Sequence, residues 1–240
     1  MGNGNFRFKK FTVNHDKCAM KVGTDGVLLG AWCNVEGVRS VLDVGTGSGL
    51  IALMVAQRNS SCIIDAVEID KESFGQASAN AACCQWSDRI NMVHSSFSEY
   101  YSGTKKKFDL IVSNPPWFIN SLTNPDPGRS AARHTHSLSM EDLVKGTKKL
   151  LAPGGRFCMI MPVPEAQIFI DRAKENELYC RLITSVLPNP GKPPKRYLME
   201  FRKTEGETEQ TELILELDKR HKYSGEFKKL TGDFYLYFRY

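Results

Sequence analysis

Short runs of β-branched and other apolar residues alternate with helical patterns through the middle of this 240-residue chain. Ser40–Val44 and Ile63–Glu68 have the composition of buried strands, and the residues from Gly49 to Asn59 between them have the apolar spacing of a helix. Repeated strand–helix–strand units form a mostly parallel sheet with helices on both faces. The alternation therefore predicts an α/β fold.

The same alternation continues toward the C-terminus. Three more strands are predicted at Ile90–His94, Phe108–Val112 and Arg156–Met161, and three more helices at about residues 71–84, 140–151 and 165–178, the second stopped by Pro153-Gly154-Gly155. Arg181–Leu187 and Arg196–Arg202 are separated only by the proline-rich loop 188–194, so we expect these two strands to pair antiparallel. The result is a mostly parallel seven-stranded sheet with an antiparallel C-terminal strand.

Small extensions flank this sheet. We expect residues 1–35 to form an N-terminal extension that covers the ligand-binding site, residues 36–204 to form the sheet domain, and residues 205–240 to form an extension packed on the same domain. The last extension contains a polar turn at 206–210, one more strand at Glu212–Leu217 and an aromatic ending. A chain of this length is expected to fold as one domain with additions.

Composition narrows the function without naming it. Charged residues of both signs make up 25% of the chain and are interspersed, which argues against disorder, and the net charge of +5 suits an anionic partner. Seven cysteines without a C-x-x-C pair indicate reduced thiols in a cytoplasmic protein, not a disulfide framework or a zinc site. No signal peptide or membrane-spanning run is present, so we predict neither membrane contact nor a metal.

A glycine-rich loop follows the first predicted strand of the sheet. In Asp43-Val44-Gly45-Thr46-Gly47-Ser48-Gly49, glycines at alternate positions permit a tight turn and let a ligand approach the backbone closely. Glu68 ends the next strand about 20 residues later, where a carboxylate can accept hydrogen bonds from ribose hydroxyls. The candidate cofactor-binding residues are Asp43, Gly45, Gly47, Gly49 and Glu68.

The spacing and charge of this loop select a type of cofactor. A dinucleotide site has the spacing G-x-G-x-x-G, whereas this loop has G-x-G-x-G preceded by Asp43. A carboxylate there repels a pyrophosphate but suits the sulfonium and amine of S-adenosyl-L-methionine. The pattern resembles motif I of class I methyltransferases, and the resemblance implies their Rossmann-like fold and S-adenosyl-L-methionine as the cofactor.

The fourth strand of the sheet leads into Ser113-Asn114-Pro115-Pro116-Trp117. Consecutive prolines stiffen the chain, and this loop is expected at the mouth of the cofactor crevice. The Asn114 side-chain oxygen and the Pro115 carbonyl can hold both hydrogens of a planar amine, and Trp117 can stack on a base. The run resembles the N-P-P-aromatic motif of methyltransferases acting on adenine, guanine or glutamine. We therefore predict catalytic roles for Asn114, Pro115, Pro116 and Trp117, with Asn114 also bordering the cofactor.

The segment from His15 to Asp25 resembles the N-terminal signature of bacterial valine-tRNA adenine-37 N6-methyltransferases. The similarity continues in separate blocks through the glycine loop, Asn114-Pro115-Pro116 and the aromatic ending. It implies a monomeric or weakly associating enzyme that transfers a methyl group to N6 of adenine 37 in a tRNA. By the same resemblance Lys21, Gly23 and Thr24 close over the methionyl end of the cofactor, although Thr24-Asp25 also fits an N-cap.

The remaining candidate site residues are two that differ from the family pattern and several basic residues that could bind RNA. After the third strand many relatives have an Asp that binds the cofactor adenine, whereas this chain has Ser95-Ser96-Phe97, from which Ser96 and Phe97 are assigned to that role. Candidate RNA-binding residues are Arg129, Arg133, Lys192, Lys195 and Arg196. His134 and His136 lack cysteine or carboxylate partners at ligand spacing, which agrees with the absence of a metal role.

Three functions remain open at this point. The leading hypothesis is adenine-37 N6-methylation of a valine tRNA. The same catalytic loop also suits a glutamine methyltransferase of release factors or an rRNA guanine-N2 methyltransferase. The third is a non-catalytic RNA-binding factor with a vestigial cofactor site, against which the intact Asp43, three loop glycines and Asn114 argue.

Overall fold

A computed structural model of the protein describes residues 4–116 and 138–238. An N-terminal hairpin consists of β1 (Asn5–Arg7) and β2 (Thr12–Asn14). The chain continues through α1 (Thr24–Trp32), β3 (Ser40–Val44), α2 (Leu50–Arg58), β4 (Ile63–Glu68), α3 (Lys71–Ala82), a short 3-10 helix (Ser87–Arg89), β5 (Ile90–His94), α4 (Phe97–Gly103) and β6 (Phe108–Ser113). After residue 137 come α5 (Met140–Leu150), β7 (Leu151–Pro162), α6 (Val163–Glu175), β8 (Tyr179–Leu187), β9 (Arg196–Arg202), β10 (Glu209–Ile214) and α7 (Gly225–Thr231).

The central sheet has the spatial order β10-β8-β9-β7-β6-β3-β4-β5. Every neighbouring pair is parallel except the two pairs that involve β9, which runs antiparallel to both β7 and β8. The predicted mostly parallel α/β fold and the antiparallel pairing around the proline-rich loop are both confirmed. The strand predicted in the C-terminal extension, β10, joins the edge of the sheet as its eighth strand and is parallel to β8.

The bounds of β7 and β10 differ from the predicted ones by three residues or more. β7 begins at Leu151, five residues before the predicted start at Arg156, because Leu151 pairs with Phe108 while Arg156 pairs with Leu110. The residues between them bulge out of the ladder, and Gly154 has a φ of +75° that an L side chain rarely adopts. β10 begins at Glu209 and ends at Ile214, so the predicted polar turn at 206–210 is shorter than expected.

Two hydrophobic clusters cover the two faces of the sheet. The first contains residues of α1, α2 and the terminal aromatics Phe8 and Phe234, and the second contains residues of α4, α5 and α6. Val41 and Leu42 are both fully buried but belong to opposite clusters, as the two-residue period of a strand requires. The backbone N–H of Lys9 donates to the Phe234 carbonyl at 2.9 Å, which ties both chain ends together. The domain boundaries at 35 and 204 stay a prediction.

The parallel strands place their carboxyl ends at one edge of the sheet. The loop after β3, the start of the chain after β6 and the end of β4 therefore lie side by side, as expected for a binding crevice in an open α/β sheet. None of the helices within residues 4–116 and 138–238 combines the length and apolar character needed to cross a bilayer.

Candidate active site

The glycine loop turns sharply between β3 and α2. Gly45, Gly47 and Gly49 have φ values of +68°, +57° and +82°, a region where residues with a Cβ are strained. The amides of Gly45 and Thr46 donate to the Val67 carbonyl at 2.9 and 3.0 Å, which fastens the loop to β4. A Cβ built on Gly45 or Gly47 would meet no heavy atom within 4 Å. The loop thus presents bare backbone to open space, as a ligand cradle requires.

Asp43 lies beneath this loop and is completely buried. Its Oδ2 accepts hydrogen bonds from the Thr46 hydroxyl at 2.6 Å and from the Ala52 amide at 3.1 Å. Its Oδ1 is buried and has no hydrogen-bond partner within the part of the chain that the structure describes. Burial raises the pKa of Asp43 to about 7, although the bonds from Thr46 and Ala52 oppose the shift. A buried acceptor without a partner fits a cationic ligand group such as an amine.

Glu68 closes β4 on the other side of the loop and is 8% exposed. Its Oε2 accepts from the Gly47 amide at 2.8 Å and its Oε1 from the Asp70 amide at 2.9 Å. Each carboxylate oxygen has a second lone pair available for a hydroxyl donor. Both acidic groups predicted for the cofactor therefore meet at the glycine loop.

Asn114 is held beside the same loop by the pairing of β6 with β3. Val112 is the strand partner of Asp43, and the Ser113 hydroxyl donates to the Val44 carbonyl at 2.9 Å. A Cβ built on Gly26 would lie 3.9 Å from the Asn114 Nδ2, so the Asn114 side chain lies against the first turn of α1. The predicted catalytic turn and the glycine loop therefore share one edge of the sheet.

The two prolines after Asn114 differ in environment. Pro115 is buried and Pro116 is exposed, so the turn is anchored at Pro115 while Pro116 faces solvent. Trp117, Arg129 and Arg133 lie outside the described residues, and their predicted roles stay predictions.

Two amide side chains of α3 fasten the N-terminal segment to the site. Asn80 accepts from the Asn14 amide at 3.0 Å and donates to the carbonyls of Asn14 at 2.8 Å and Ser48 at 2.9 Å. One turn earlier, Gln76 accepts from the Lys17 amide at 3.0 Å and donates to Asp16 at 2.5 Å. The segment over residues 14–18 is thereby joined to both α3 and the glycine loop.

We expect Asn80→Ala to destabilise the protein by about 2–3 kcal/mol and to weaken cofactor binding. Asn80 is 2% exposed and its three bonds span separate elements, so its loss leaves polar backbone groups unsatisfied. Urea unfolding of the cofactor-free protein and a calorimetric cofactor titration measure both effects. Ser78→Ala on the same helix, where the hydroxyl donates to the Phe74 carbonyl one turn earlier, is the control and should change little. Equal effects of both substitutions would contradict a specific role for Asn80.

Lys21, Gly23 and Thr24 are exposed and lie at and just before the start of α1. The loop that carries them is closed by His15, whose Nδ1 accepts from the Val22 amide at 3.1 Å. The N-cap role suggested for Thr24 and Asp25 is wrong, because Gly23 is the N-cap and Thr24 is the first helical residue. Their contact with a cofactor stays a prediction.

Ser96 and Phe97 both have structural roles in and around α4. Ser96 is the N-cap of α4 and forms a capping box with Glu99, accepting from the Glu99 amide at 3.1 Å. Phe97 is 6% exposed, and its ring packs edge-on against Tyr101 and directly over Gly146. The ring thus belongs to the core under α5, and its predicted contact with cofactor adenine gains no support from this position.

The predicted RNA-binding residues that the structure describes lie around the loop between β8 and β9. Lys192 and Lys195 are exposed. Arg196 forms an ion pair with Asp25 at 2.9 Å, so part of its charge is used to hold α1 against β9. Across residues 4–116 and 138–238 no three His, Cys, Asp or Glu side chains are grouped as a metal site would need, and the absence of a metal role stays a prediction.

Sequence reasoning missed several residues that build the site. Thr46, Ser113, Gln76 and Asn80 orient the loop, the catalytic turn and the N-terminal segment through the bonds described above. The signal for Gln76 and Asn80 was available: two amides spaced by four residues fall on one face of an otherwise small-residue helix. Polar residues on the buried face of a helix require partners, and here the partners come from the N-terminus.

Comparisons with known proteins agree with this geometry. Residues 23–166 match the Methyltransferase small domain family. A protein of Parabacteroides distasonis named tRNA1(Val) (adenine(37)-N6)-methyltransferase is 50% identical over 237 residues, which cover 98% of this chain and 99% of that protein. A protein of the same name from Bacteroides thetaiotaomicron is 48% identical over 240 residues and is covered completely, as is this chain.

Solved structures support the fold. A predicted O-methyltransferase of Agrobacterium tumefaciens superposes with a TM-score of 0.64 at 18% identity, covering 88% of this chain and 96% of that one. The ribosomal protein L11 methylase of Lactobacillus delbrueckii subsp. bulgaricus gives 0.55 at 18% identity, covering 80% and 84%. At this identity the likeness shows the class I methyltransferase fold alone. Together with the near full-length identity to the curated relatives, it shows that the chain belongs to the tRNA1(Val) (adenine(37)-N6)-methyltransferase family.

Proposed function

We propose that this protein transfers a methyl group from S-adenosyl-L-methionine to N6 of adenine 37 in a valine tRNA. The observation that carries the proposal is the placement of Asn114 and Pro115 beside the glycine loop, directly after β6, the strand that pairs with β3 at Asp43. Relatives with up to 50% identity over nearly the whole chain carry that activity in their names. A tRNA substrate would also place the enzyme in the cytoplasm, where we expect it to act as a monomer or weak dimer.

The residues at the loop fit the cofactor group by group. The buried Oδ1 of Asp43 offers an acceptor to the methionyl amine, and the remaining lone pairs of Glu68 suit the ribose hydroxyls. The open space beside Gly45 and Gly47 permits close approach to the backbone. When bound, S-adenosyl-L-methionine supplies a methyl carbon that is open to attack by a nitrogen lone pair, with a neutral thioether as leaving group.

Asn114 and Pro115 act on the nucleophile. The lone pair of the adenine amino nitrogen is delocalised into the ring, so the free base attacks poorly. Acceptance of its two hydrogens by the Asn114 side-chain oxygen and the Pro115 carbonyl favours a pyramidal nitrogen and turns the lone pair toward the methyl carbon. The Ser113–Val44 bond and the burial of Pro115 hold the backbone of this turn before the substrate arrives, and acceptors set in advance in this way lower a reaction barrier. The methylated nitrogen then releases its proton to water without a general base.

The test uses the full-length protein, labelled cofactor and unmodified valine tRNA. We expect one methyl group per tRNA, recovered as N6-methyladenosine after nuclease digestion and mapped to position 37. A matched transcript with guanine at position 37 should accept no label. Label in guanine, in rRNA or in a release factor, with none in tRNA adenine, would move the assignment to one of the two alternative enzyme classes. Absence of cofactor binding in a calorimetric titration would favour a non-catalytic RNA-binding factor.

A further inference from the structure

Two loops outside the catalytic turn leave the sheet at the same edge as Asn114. β9 lies between β7 and β8 and is antiparallel to both, so β7 and β8 run in the same direction. Arg196 at the start of β9 pairs with Pro162 at the end of β7. Loop 188–195 therefore lies at the carboxyl edge. β10 is parallel to β8, and its last residue, Ile214, pairs with Leu187. Loop 215–223 consequently emerges at this edge as well.

Hydrogen bonds join these two loops into one surface. The amides of Leu215 and Glu216 donate to the carbonyls of Leu187 and Pro188 at 2.9 and 3.0 Å. The Asn189 side chain returns a bond to the Leu217 carbonyl at 2.8 Å. Each loop donates hydrogen bonds to the other, so the two loops are held in one relative position.

Loop 215–223 is itself a small hairpin with a braced tip. Glu216 and Tyr223 form an antiparallel bridge, and the Leu217 amide donates to the Lys222 carbonyl at 2.8 Å. The Glu216 carboxylate also accepts from the His221 amide at 2.9 Å, and His221 adopts a positive φ of 68°. The tip therefore has a defined shape, and its side chains project from a fixed backbone.

The combined surface carries exposed positive charge. Lys192, Lys195, Lys219 and Arg220 are exposed, and within residues 4–116 and 138–238 none of the four forms an ion pair. The nearby negative charge of Asp218 is already engaged by Lys222 at 3.2 Å. Four cations without ion-pair partners thus line the edge of the sheet that holds the catalytic turn.

A similar basic run elsewhere in the chain differs in its location and in its ion pairing. Lys105-Lys106-Lys107 precedes β6 and so lies at the amino edge, opposite the site. Lys106 is bound to the buried carboxylate of Asp65 at 2.6 Å, and Lys107 donates to the Lys149 carbonyl. Position and pairing both separate this run from the cations at the carboxyl edge.

We infer that loops 188–195 and 215–223 form one docking platform for the tRNA backbone, on which Lys192, Lys195, Lys219 and Arg220 contact phosphates near the target base. This inference rests on the proposed function and adds the 215–223 hairpin to the substrate-binding surface. Phosphate contacts from Lys and Arg fix the position and register of a nucleic acid without reading its sequence. A rigid pair of loops at the active edge can hold the substrate while its adenine enters the crevice.

The experiment compares three double variants of the full-length protein: Lys219→Ala/Arg220→Ala, Lys192→Ala/Lys195→Ala and, as matched control, Lys105→Ala/Lys107→Ala. Each phosphate contact contributes about 0.7–0.9 to the slope of log binding constant against log salt concentration. We expect each platform variant to lower that slope by about 1.5 and to raise the KM for tRNA at least about tenfold at low salt. The kcat and the cofactor dissociation constant should stay unchanged, and the control should match wild type throughout.

The outcomes separate this inference from the proposed function. A wild-type enzyme that methylates no tRNA adenine would refute the proposed function itself. A wild-type enzyme that does so, with the Lys219/Arg220 variant keeping its KM and salt slope, would refute the platform. Cofactor affinity reports whether each variant is folded, and the Lys192/Lys195 variant tests the other loop if the hairpin variant fails that check. If the Lys105/Lys107 control reduced the salt dependence of tRNA binding by the same amount, the four cations would contribute only through the overall positive charge of the protein. That result would also overturn the inference.

Discussion

Asn114→Ala is expected to lower kcat on tRNA by about 10²–10³-fold or more while changing the cofactor dissociation constant little. In the proposed mechanism the side-chain oxygen acts on the nucleophilic amine, which is absent when only the cofactor is bound. Asn114 is half-buried at the end of β6, and its backbone is held by the Ser113–Val44 bond, so truncation leaves the turn in place. Single-turnover kinetics with saturating tRNA measure the chemical step directly.

A matched control for this substitution lies at the opposite edge of the sheet. Asn34 is an exposed asparagine whose side chain accepts from the nearby Glu36 amide, so Asn34→Ala should retain wild-type kcat. A wild-type kcat in Asn114→Ala would place the chemistry elsewhere. A loss of cofactor affinity as large as the loss of kcat would assign Asn114 to the cofactor instead of the amine.

Asp43→Asn is expected to weaken cofactor binding about 10–100-fold at pH 8. The amide oxygen of asparagine can still accept from Thr46 and Ala52, so the loop geometry is retained, but the negative charge that we propose binds the methionyl amine is lost. Calorimetric titration gives the dissociation constant for both proteins. Unchanged affinity would show that the cofactor amine does not bind at Asp43.

The pKa of Asp43 adds a pH dependence to this comparison. With a pKa of about 7, the binding-competent carboxylate is a minor species at pH 6 and the major one at pH 8. The affinity of wild type relative to Asp43→Asn should therefore rise about tenfold over that range. Taking the ratio of the two proteins removes any titration of the cofactor itself. A ratio that is flat with pH would contradict the raised pKa.

Stability of the cofactor-free protein should change in the opposite direction. The folded-state pKa of Asp43 lies well above the ordinary pKa of an aspartate carboxyl, so the folded protein binds the proton more tightly than the unfolded chain. This tighter proton binding adds to the free energy of unfolding, and its contribution is fully present below about pH 4. As the pH rises from there to about 7, the contribution falls by up to about 1.4 kcal/mol per pH unit. Asp43→Asn should lack this decline, and urea unfolding of both proteins at pH 5 and pH 8 tests the difference.

Local pattern accounts for most of the elements that build the site. The short apolar run of β3 and the glycines of the following loop indicate a strand and a tight turn from local sequence alone. Asn114 and Pro115 were identified in the same way, because a rigid turn after a buried strand is a local property. The order of strands in a doubly wound sheet then brings these turns together.

Contacts between segments that are distant in the chain became visible in the folded protein. Asp25 and Arg196 are 171 positions apart, and nothing near either residue indicates that one neutralises the other. The same holds for the two basic loops, which become neighbours only because β10 adds to the sheet beside β8. Phe97 has the local appearance of a ligand platform, yet the packing of α5 over its ring makes it part of the core. The strands, the turns and the residue types at their ends follow from the amino-acid sequence, because they depend on neighbouring residues. Which charges meet, which face solvent and which side chains are buried depended on contacts between residues far apart in the chain.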